Sequence, residues 1–119
     1  MARILLAEDD DTAREAFALA LAAAGHEVTA AADGVEAMRH FVGDAFDVLL
    51  TDIVMPAMDG IELAKQARRR FPDLKVVLMS GYEGVAEDAE PMVADAARIV
   101  VKPLAIATLI AEIEALLAA

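Results

Sequence analysis

Five short apolar runs, separated by longer amphipathic stretches, constrain the fold of this chain more than any other feature. The runs are continuous rather than alternating between apolar and polar residues, which is typical of strands buried on both faces of a parallel sheet. The stretches between them have the spacing of apolar residues that a helix needs. The pattern therefore predicts strands at residues 4–7, 28–30, 48–51, 76–79 and 99–101.

The intervening stretches predict five helices that alternate with the strands. They cover residues 12–24, 34–42, 59–70, a weak segment near 84–96, and 106–117. Thr12 and Glu15 are spaced as a capping box at the start of the first helix, and Gly25 stands where a C-terminal glycine is common. Parallel strands need crossover connections of about a dozen residues. We therefore expect an α/β fold, doubly wound, with helices on both faces of a five-stranded parallel sheet.

Length and charge limit the functions that this chain can have. Its 119 residues suit a single domain over 1–119. Its 28 alanines suit helices with small side chains packed on an aliphatic sheet. The net charge of -11 argues against nucleic acid or an anionic membrane as a partner. No cysteine is present, and the longest apolar run, residues 16–24, is too short to span a bilayer. These features favour a cytoplasmic location.

Polar residues follow four of the five predicted strands, at the edge where ligands bind in doubly wound sheets. Carboxylates about 5 Å apart repel by roughly 3 kcal/mol per pair at an effective dielectric constant of about 20, so positive charge must balance them. A lysine supplies one charge, and Mg²⁺, which prefers oxygen ligands, would supply two more. The residues concerned are Glu8, Asp9 and Asp10 after the first strand, Asp52 after the third, Ser80 after the fourth and Lys102 after the fifth.

The carboxylate of Asp52 stands alone at its strand end and is suited to attack phosphorus, which would form an aspartyl phosphate. Lys102 and the Ser80 hydroxyl would then contact the phosphoryl oxygens. Each signal alone is ambiguous, because acidic residues before a helix often cap it. Together at one edge they indicate a phosphoryl-transfer site. His26 and His40 lack metal-ligand spacing and are interpreted as surface residues.

The sequence resembles, over its full length, the receiver domains of bacterial two-component response regulators, which have the CheY-like fold. The matching segments are Glu8-Asp9, residues 51–56 with 58–60, Ser80, and residues 101–103. The resemblance implies a flavodoxin-like (βα)5 three-layer sandwich with strand order 2-1-3-4-5. It also implies a protein that is not an enzyme beyond its own phosphorylation and dephosphorylation, with a histidine kinase or histidine phosphotransferase as the phosphoryl donor.

The same resemblance implies a role for each site residue. Asp52 is the phosphoacceptor, and Lys102 contacts the phosphoryl group. Ser80 is the switch hydroxyl. Mg²⁺ is bound by Glu8, Asp9, Asp52 and the backbone carbonyl of Val54.

Two departures from the family pattern concern the switch. Ile99 occupies the position, three residues before Lys102, where the family usually has an aromatic ring. Tyr82, two residues beyond Ser80, resembles the aromatic residue of a receiver subgroup common in alpha-proteobacteria and is a candidate for a related role. Residues 80–91, with two glycines and four acidic residues, are therefore the predicted switch segment.

The chain ends at the last predicted helix, so we expect output by docking to another protein. Its ending and its 53–56 and 80–82 segments resemble protease-adaptor receivers, which implies a ClpXP-type protease as a downstream partner. Two alternatives remain. One is a small aspartyl-phosphate phosphatase of the haloacid dehalogenase kind, with Asp9 and Asp11 as its motif. The other is a receiver-like adaptor that works without phosphorylation.

Overall fold

The computed structural model describes residues 2–81, 97–102 and 105–118. They form one parallel sheet of five strands, with helices packed on both faces. The strands are β1 (Arg3–Ala7), β2 (Glu27–Ala31), β3 (Val48–Asp52), β4 (Lys75–Ser80) and β5 (Ala97–Val101). The helices are α1 (Asp11–Ala23), α2 (Gly34–Gly43), α3 (Gly60–Arg70) and α4 (Ile106–Ala118).

The strands are ordered β2-β1-β3-β4-β5, which confirms the predicted doubly wound topology. One apolar core lies between the sheet and helices α2 and α3, where Phe41 and Leu63 are fully buried. The other lies between the sheet and helices α1 and α4, where Leu21 and Ile113 are buried. The three central strands are covered on both faces, which explains their continuous apolar runs.

The two edge strands differ from the continuous burial that their apolar runs suggested. Only Ala31 of β2 and Ala97 of β5 are buried, because each of these strands has a neighbour on one side only. The central strands β1, β3 and β4 are buried almost throughout. Apolar character alone therefore did not separate edge strands from central ones.

The start of α1 differs from the predicted capping box at Thr12. Asp10 is the N-cap, and its side chain accepts a hydrogen bond from the backbone N–H of Ala13 at 2.8 Å. Asp33 and Asp59 cap α2 and α3 in the same way. Asp10 caps the helix two residues earlier than the predicted Thr12, so α1 begins at Asp11.

The end of α1 agrees with the prediction. Gly25 has a φ of 97°, a conformation that glycine adopts without steric cost, and its N–H bonds to the carbonyl of Ala22. The next residue, His26, is not the surface residue that we expected. Its Nδ1 accepts the backbone N–H of Ala2 at 3.2 Å, and its buried Nε2 has no hydrogen-bond partner among the residues described.

The weak helix predicted near 84–96 lies outside the described residues, as do Tyr82 and most of the predicted switch segment. Within the described part of the chain, no helix is long and apolar enough to span a membrane.

Candidate functional site

Four of the five strands bring polar residues to one edge of the sheet. Glu8 directly follows β1, and Asp52 is the last residue of β3. Ser80 ends β4, and Lys102 directly follows β5. All strands of the sheet are parallel, so these four residues share its carboxyl edge. The structure therefore brings together the residues that the strand ends predicted.

Lys102 holds two carboxylates at the centre of this edge. Its Nζ lies 2.5 Å from Oδ1 of Asp52 and 2.8 Å from Oε1 of Glu8. The side chains of Asp52 and Glu8 are only 8% and 1% exposed, whereas that of Lys102 is 30% exposed. Charge-assisted hydrogen bonds of this kind are stronger than neutral ones, particularly where water is excluded. The lysine thus fixes the positions of both acids.

The three acidic residues after β1 have different surroundings. Glu8 is buried, and its Oε2 accepts the backbone N–H of Asp10 at 3.1 Å. The Asp10 carboxylate caps α1 by accepting the backbone N–H of Ala13. Asp9 is exposed at the mouth of the site, and its carboxylate, with those of Glu8 and Asp52, offers oxygen atoms that all lie within 4.8 Å of one another.

Burial and mutual contact change how these groups bind protons. Burial and a hydrogen bond with Glu8 raise the pKa of Asp52 to about 8, although Lys102 acts in the opposite direction. Burial also acts to raise the pKa of Glu8, but its hydrogen bonds with Asp52, Lys102 and Asp10 outweigh burial and lower that pKa. Glu8 and Asp52 therefore share a proton, because one lysine cannot balance two buried carboxylates.

This donor set fits a hard divalent cation. Carboxylate oxygens from Glu8, Asp9 and Asp52 converge, and they are the ligands that Mg²⁺ prefers. A cavity of about 220 Å³ opens over them, lined also by Val54 and Lys102. Such a cavity leaves room for water and for a phosphoryl group. A cation there would replace the proton that the two buried carboxylates share.

The loop from β3 to α3 packs tightly against Asp52. The backbone N–H of Gly60 donates to the carbonyl of Ile53 at 2.7 Å, and a Cβ on Gly60 would overlap with the carbonyl of Asp52. Ala57 has a φ of 68°, a strained conformation for a residue other than glycine. Gly60 belongs to the segment that matches the family pattern, but no role was expected for it. Its position directly after the α3 N-cap, Asp59, was the available signal.

The remaining predicted residues lie near the site in different ways. Ser80 is buried, and its carbonyl accepts the backbone N–H of Lys102 at 2.6 Å, which ties the ends of β4 and β5 together. Val54 is exposed at the mouth of the cavity. Ile99 is partly buried and packs against the core beneath α2 and α3.

One site contact was not foreseen, and it bears on the phosphatase alternative. Asp11, which that alternative needs beside Asp9, has a side chain that is 89% exposed and pairs with Arg14 at 2.6 Å. Arg14 also donates from Nη1 to the carbonyl of Glu8 at 2.9 Å. The Asp11 side chain thus forms an ion pair within the first turn of α1. The carboxylates that converge with that of Asp9 are those of Glu8 and Asp52.

Comparisons with known proteins agree with this geometry. The model of the response regulator receiver domain family matches residues 4–114. The response regulator receiver protein CpdR of Brucella abortus is 43% identical over 119 residues, covering 100% of this chain and 99% of CpdR. The response regulator MprA of Mycobacterium ulcerans is 36% identical over 115 residues, and that match spans only 50% of MprA.

A solved structure shares the fold. The response regulator TrrA of Thermotoga maritima, in complex with Mg²⁺ and BeF, is 31% identical with a TM-score of 0.86, and the match covers 98% of this chain and 99% of TrrA. Strand order, converging carboxylates and family match all agree. The chain therefore belongs to the response regulator receiver domain family and has the CheY-like fold of two-component signalling proteins.

Proposed function

We propose that Asp52 is the phosphoacceptor of this receiver and that the whole of residues 1–119 acts as one receiver domain. The observation that carries the proposal is the position of the Asp52 carboxylate. It lines the cavity at the sheet edge, with the Lys102 ammonium 2.5 Å from Oδ1 and with Glu8 and Asp9 beside it. A carboxylate oxygen so placed has a lysine to orient it and open space in front of it.

The transfer is a displacement at phosphorus. A carboxylate oxygen of Asp52 forms a bond to phosphorus, and the bond from phosphorus to the donor's histidine nitrogen breaks. The electron pair of the broken bond stays on the imidazole, which then takes up a proton. In this proposal, Lys102 and the Ser80 hydroxyl contact the phosphoryl oxygens. The ionised form of Asp52 is the nucleophile, so the proton that it shares with Glu8 must leave first.

Glu8, Asp9, Asp52 and the backbone carbonyl of Val54 are the residues proposed to hold Mg²⁺. When bound, Mg²⁺ supplies positive charge that balances the carboxylates and the phosphoryl oxygens. The convergence of the three carboxylates supports this assignment. Val54 supports it by lining the same cavity.

Receiver domains are signalling modules that histidine kinases or phosphotransfer proteins phosphorylate. For this chain we propose that Mg²⁺-dependent phosphorylation and dephosphorylation of Asp52 is its only chemistry. We further propose that it signals in the cytoplasm by docking to another protein, with a ClpXP-type protease as the predicted partner. The similarity to the response regulator receiver protein CpdR over 119 residues supports signalling through the receiver domain.

The proposed switch links Ser80 to the segment that follows it. Ile99 packs against the aliphatic core, and its side chain has no polar group and few rotamers. We therefore expect it to keep one conformation when Asp52 is phosphorylated. Tyr82 therefore remains the predicted aromatic partner of the switch.

Intact-mass spectrometry with acetyl phosphate tests the proposed function. The chain should gain the mass of one phosphoryl group in the presence of Mg²⁺ and none in EDTA. Asp52→Asn should gain none in either case, whereas Asp47→Asn, at the opposite end of β3, should behave as the unmodified chain. Equal phosphorylation with and without Mg²⁺ would refute the metal assignment, and a phosphorylated Asp52→Asn protein would refute the phosphoacceptor.

A further inference from the structure

Half of the basic residues of this acidic chain lie on α2 and α3. These two helices carry five basic residues and two acidic ones, whereas the whole chain has 10 basic and 21 acidic residues. The basic residues are Arg39, Lys65, Arg68, Arg69 and Arg70. A concentration of positive charge on a protein of net charge -11 is not explained by the phosphoryl site, which lies at the other end of α3.

Two adjacent cavities lie along the C-terminal end of α3. The first, here called the basic compartment, has a volume of about 370 Å³ and is lined by Met38, Gln66, Arg69 and Arg70. The second, here called the phenylalanine compartment, has a volume of about 350 Å³, and its apolar lining includes Phe46, Phe71, Leu74 and Leu117. Arg70 lines both compartments, and the two together are here called the groove.

The arginines of the basic compartment are available to a ligand. Arg69 and Arg70 are exposed, and neither forms an ion pair within residues 2–81, 97–102 and 105–118. Arg70 donates one N–H to the carbonyl of Val42 at 3.4 Å, which holds its side chain against the end of α2. Both arginine side chains line the basic compartment, and a guanidinium group can bind a carboxylate through two N–H donors.

The phenylalanine compartment has a rigid floor. Phe41 packs against Phe46 and Phe71 at ring-centroid distances of 5.4 and 5.9 Å, so the rings that line the cavity are supported from within the core. Its rim carries both charge signs, because Lys75 and Asp73 line it, and the Asp47 carboxylate accepts the backbone N–H of Arg3. Recognition there depends on the apolar floor, which suits an aromatic or aliphatic side chain.

We propose that this groove binds a short acidic segment of a partner protein, with carboxylates on Arg69 and Arg70 and one apolar side chain in the phenylalanine compartment. A peptide can carry carboxylates and an apolar side chain within one short segment. A free anion has no side chain for the second compartment, and a long nucleic acid is repelled by the net charge of -11.

The groove is remote from the proposed phosphoryl site. Gly60, at the start of α3, contacts the loop beside Asp52, and Arg70 ends the same helix. Eleven residues of helix separate these ends by about 15 Å at about 1.5 Å per residue. The inference therefore does not rest on phosphorylation of Asp52.

Selection from a random dodecapeptide library displayed on phage, against the full immobilised chain, tests the proposal. The enriched peptides should be acidic and contain Phe, Leu or Trp. In fluorescence polarisation with the best peptide, Arg69→Glu combined with Arg70→Glu should weaken binding at least tenfold. Leu117→Ser should weaken it at least threefold, whereas Asp52→Asn should leave binding within twofold.

Matched controls separate the groove from general charge and folding effects. Arg98→Glu changes an arginine on edge strand β5, and Leu19→Ser changes an exposed leucine on α1. Both should bind the peptide as the unmodified chain does. The proposal is overturned if no peptide is enriched or if the enriched peptides lack acidic residues. It is overturned if the double arginine variant binds the peptide as tightly as the unmodified chain does. It is overturned, too, if a 20-nucleotide RNA displaces the peptide at a similar concentration. It is also overturned if sedimentation shows a dimer that Arg69→Glu dissociates, since a second copy would then occupy the groove.

Discussion

The ammonium of Lys102 lies 2.5 Å from Oδ1 of Asp52, although the strands that deliver these residues are separated by β4. The lysine reaches across the end of β4, where its own backbone N–H is bonded to the carbonyl of Ser80. Through its side chain and its backbone N–H, Lys102 thus links the ends of β3, β4 and β5. The position of the Asp52 carboxylate therefore depends on this contact as well as on β3.

Replacement of Lys102 by Met should lower both stability and phosphorylation. The substitution leaves Glu8 and Asp52 buried without their cation, and we expect a loss of about 1–3 kcal/mol in the free energy of unfolding at pH 7. Urea denaturation measures it, and phosphorylation by acetyl phosphate should slow at least tenfold. Lys75→Met, at the opposite edge of the sheet, should leave phosphorylation unchanged. Unaltered phosphorylation in Lys102→Met would contradict the assigned contact.

The raised pKa of Asp52 predicts a pH-dependent stability in the absence of divalent cations. The folded chain holds a proton up to about pH 8, whereas an unfolded aspartate releases it near pH 4, so the folded state binds more protons in between. The stability of the unmodified chain should therefore fall relative to Asp52→Asn as the pH rises from 5 to 8, by about 1–3 kcal/mol. Urea denaturation of both proteins in EDTA measures this, and a constant difference across that range would contradict the shared proton.

Asp9 and Asp10 should have separable roles although they are adjacent. Asp9→Ala should weaken Mg²⁺ binding at least tenfold in calorimetry and leave stability nearly unchanged, because Asp9 contributes to the carboxylate cluster. Asp10→Ala should lower stability by about 1 kcal/mol, because it removes the N-cap of α1, and should change Mg²⁺ binding less than threefold. The reverse pattern would show that the two roles are wrongly assigned.

Gly60→Ala should destabilise the loop that packs against Asp52. The added Cβ overlaps with the backbone carbonyl of Asp52, so the loop must move, and we expect a loss of about 2–4 kcal/mol in the free energy of unfolding. Gly43→Ala is the matched control, because nothing lies within 4 Å of a Cβ there. Thermal denaturation compares the two, and a Gly60→Ala protein as stable as the control would exclude the close approach.

Much of this fold and site could be predicted from the sequence because the strands are short and apolar, and four of the five have a polar residue at their carboxyl end. The strand order came from the family resemblance, since the alternation alone fits more than one order. The strand ends then predicted that Glu8, Asp52, Ser80 and Lys102 would meet, because parallel strands share their carboxyl edge.

What the sequence did not predict depends on three-dimensional neighbours. Asp10 rather than Thr12 caps α1, because several adjacent polar residues can each start a helix. His26 is engaged by the Ala2 amide, a contact between residues 24 positions apart. The proton shared by Glu8 and Asp52 depends on their burial and distance, which no sequence pattern gives. The groove beside Arg70 joins residues from separate helices and loops.

The position of the acyl phosphate shows whether Asp52 alone accepts the phosphoryl group. Borohydride reduction after treatment with acetyl phosphate and Mg²⁺ converts a phosphorylated aspartate to homoserine, which peptide mass spectrometry locates. The account predicts homoserine at position 52 and at no other aspartate. Homoserine at Asp9 or Asp10, with position 52 unmodified, would contradict it.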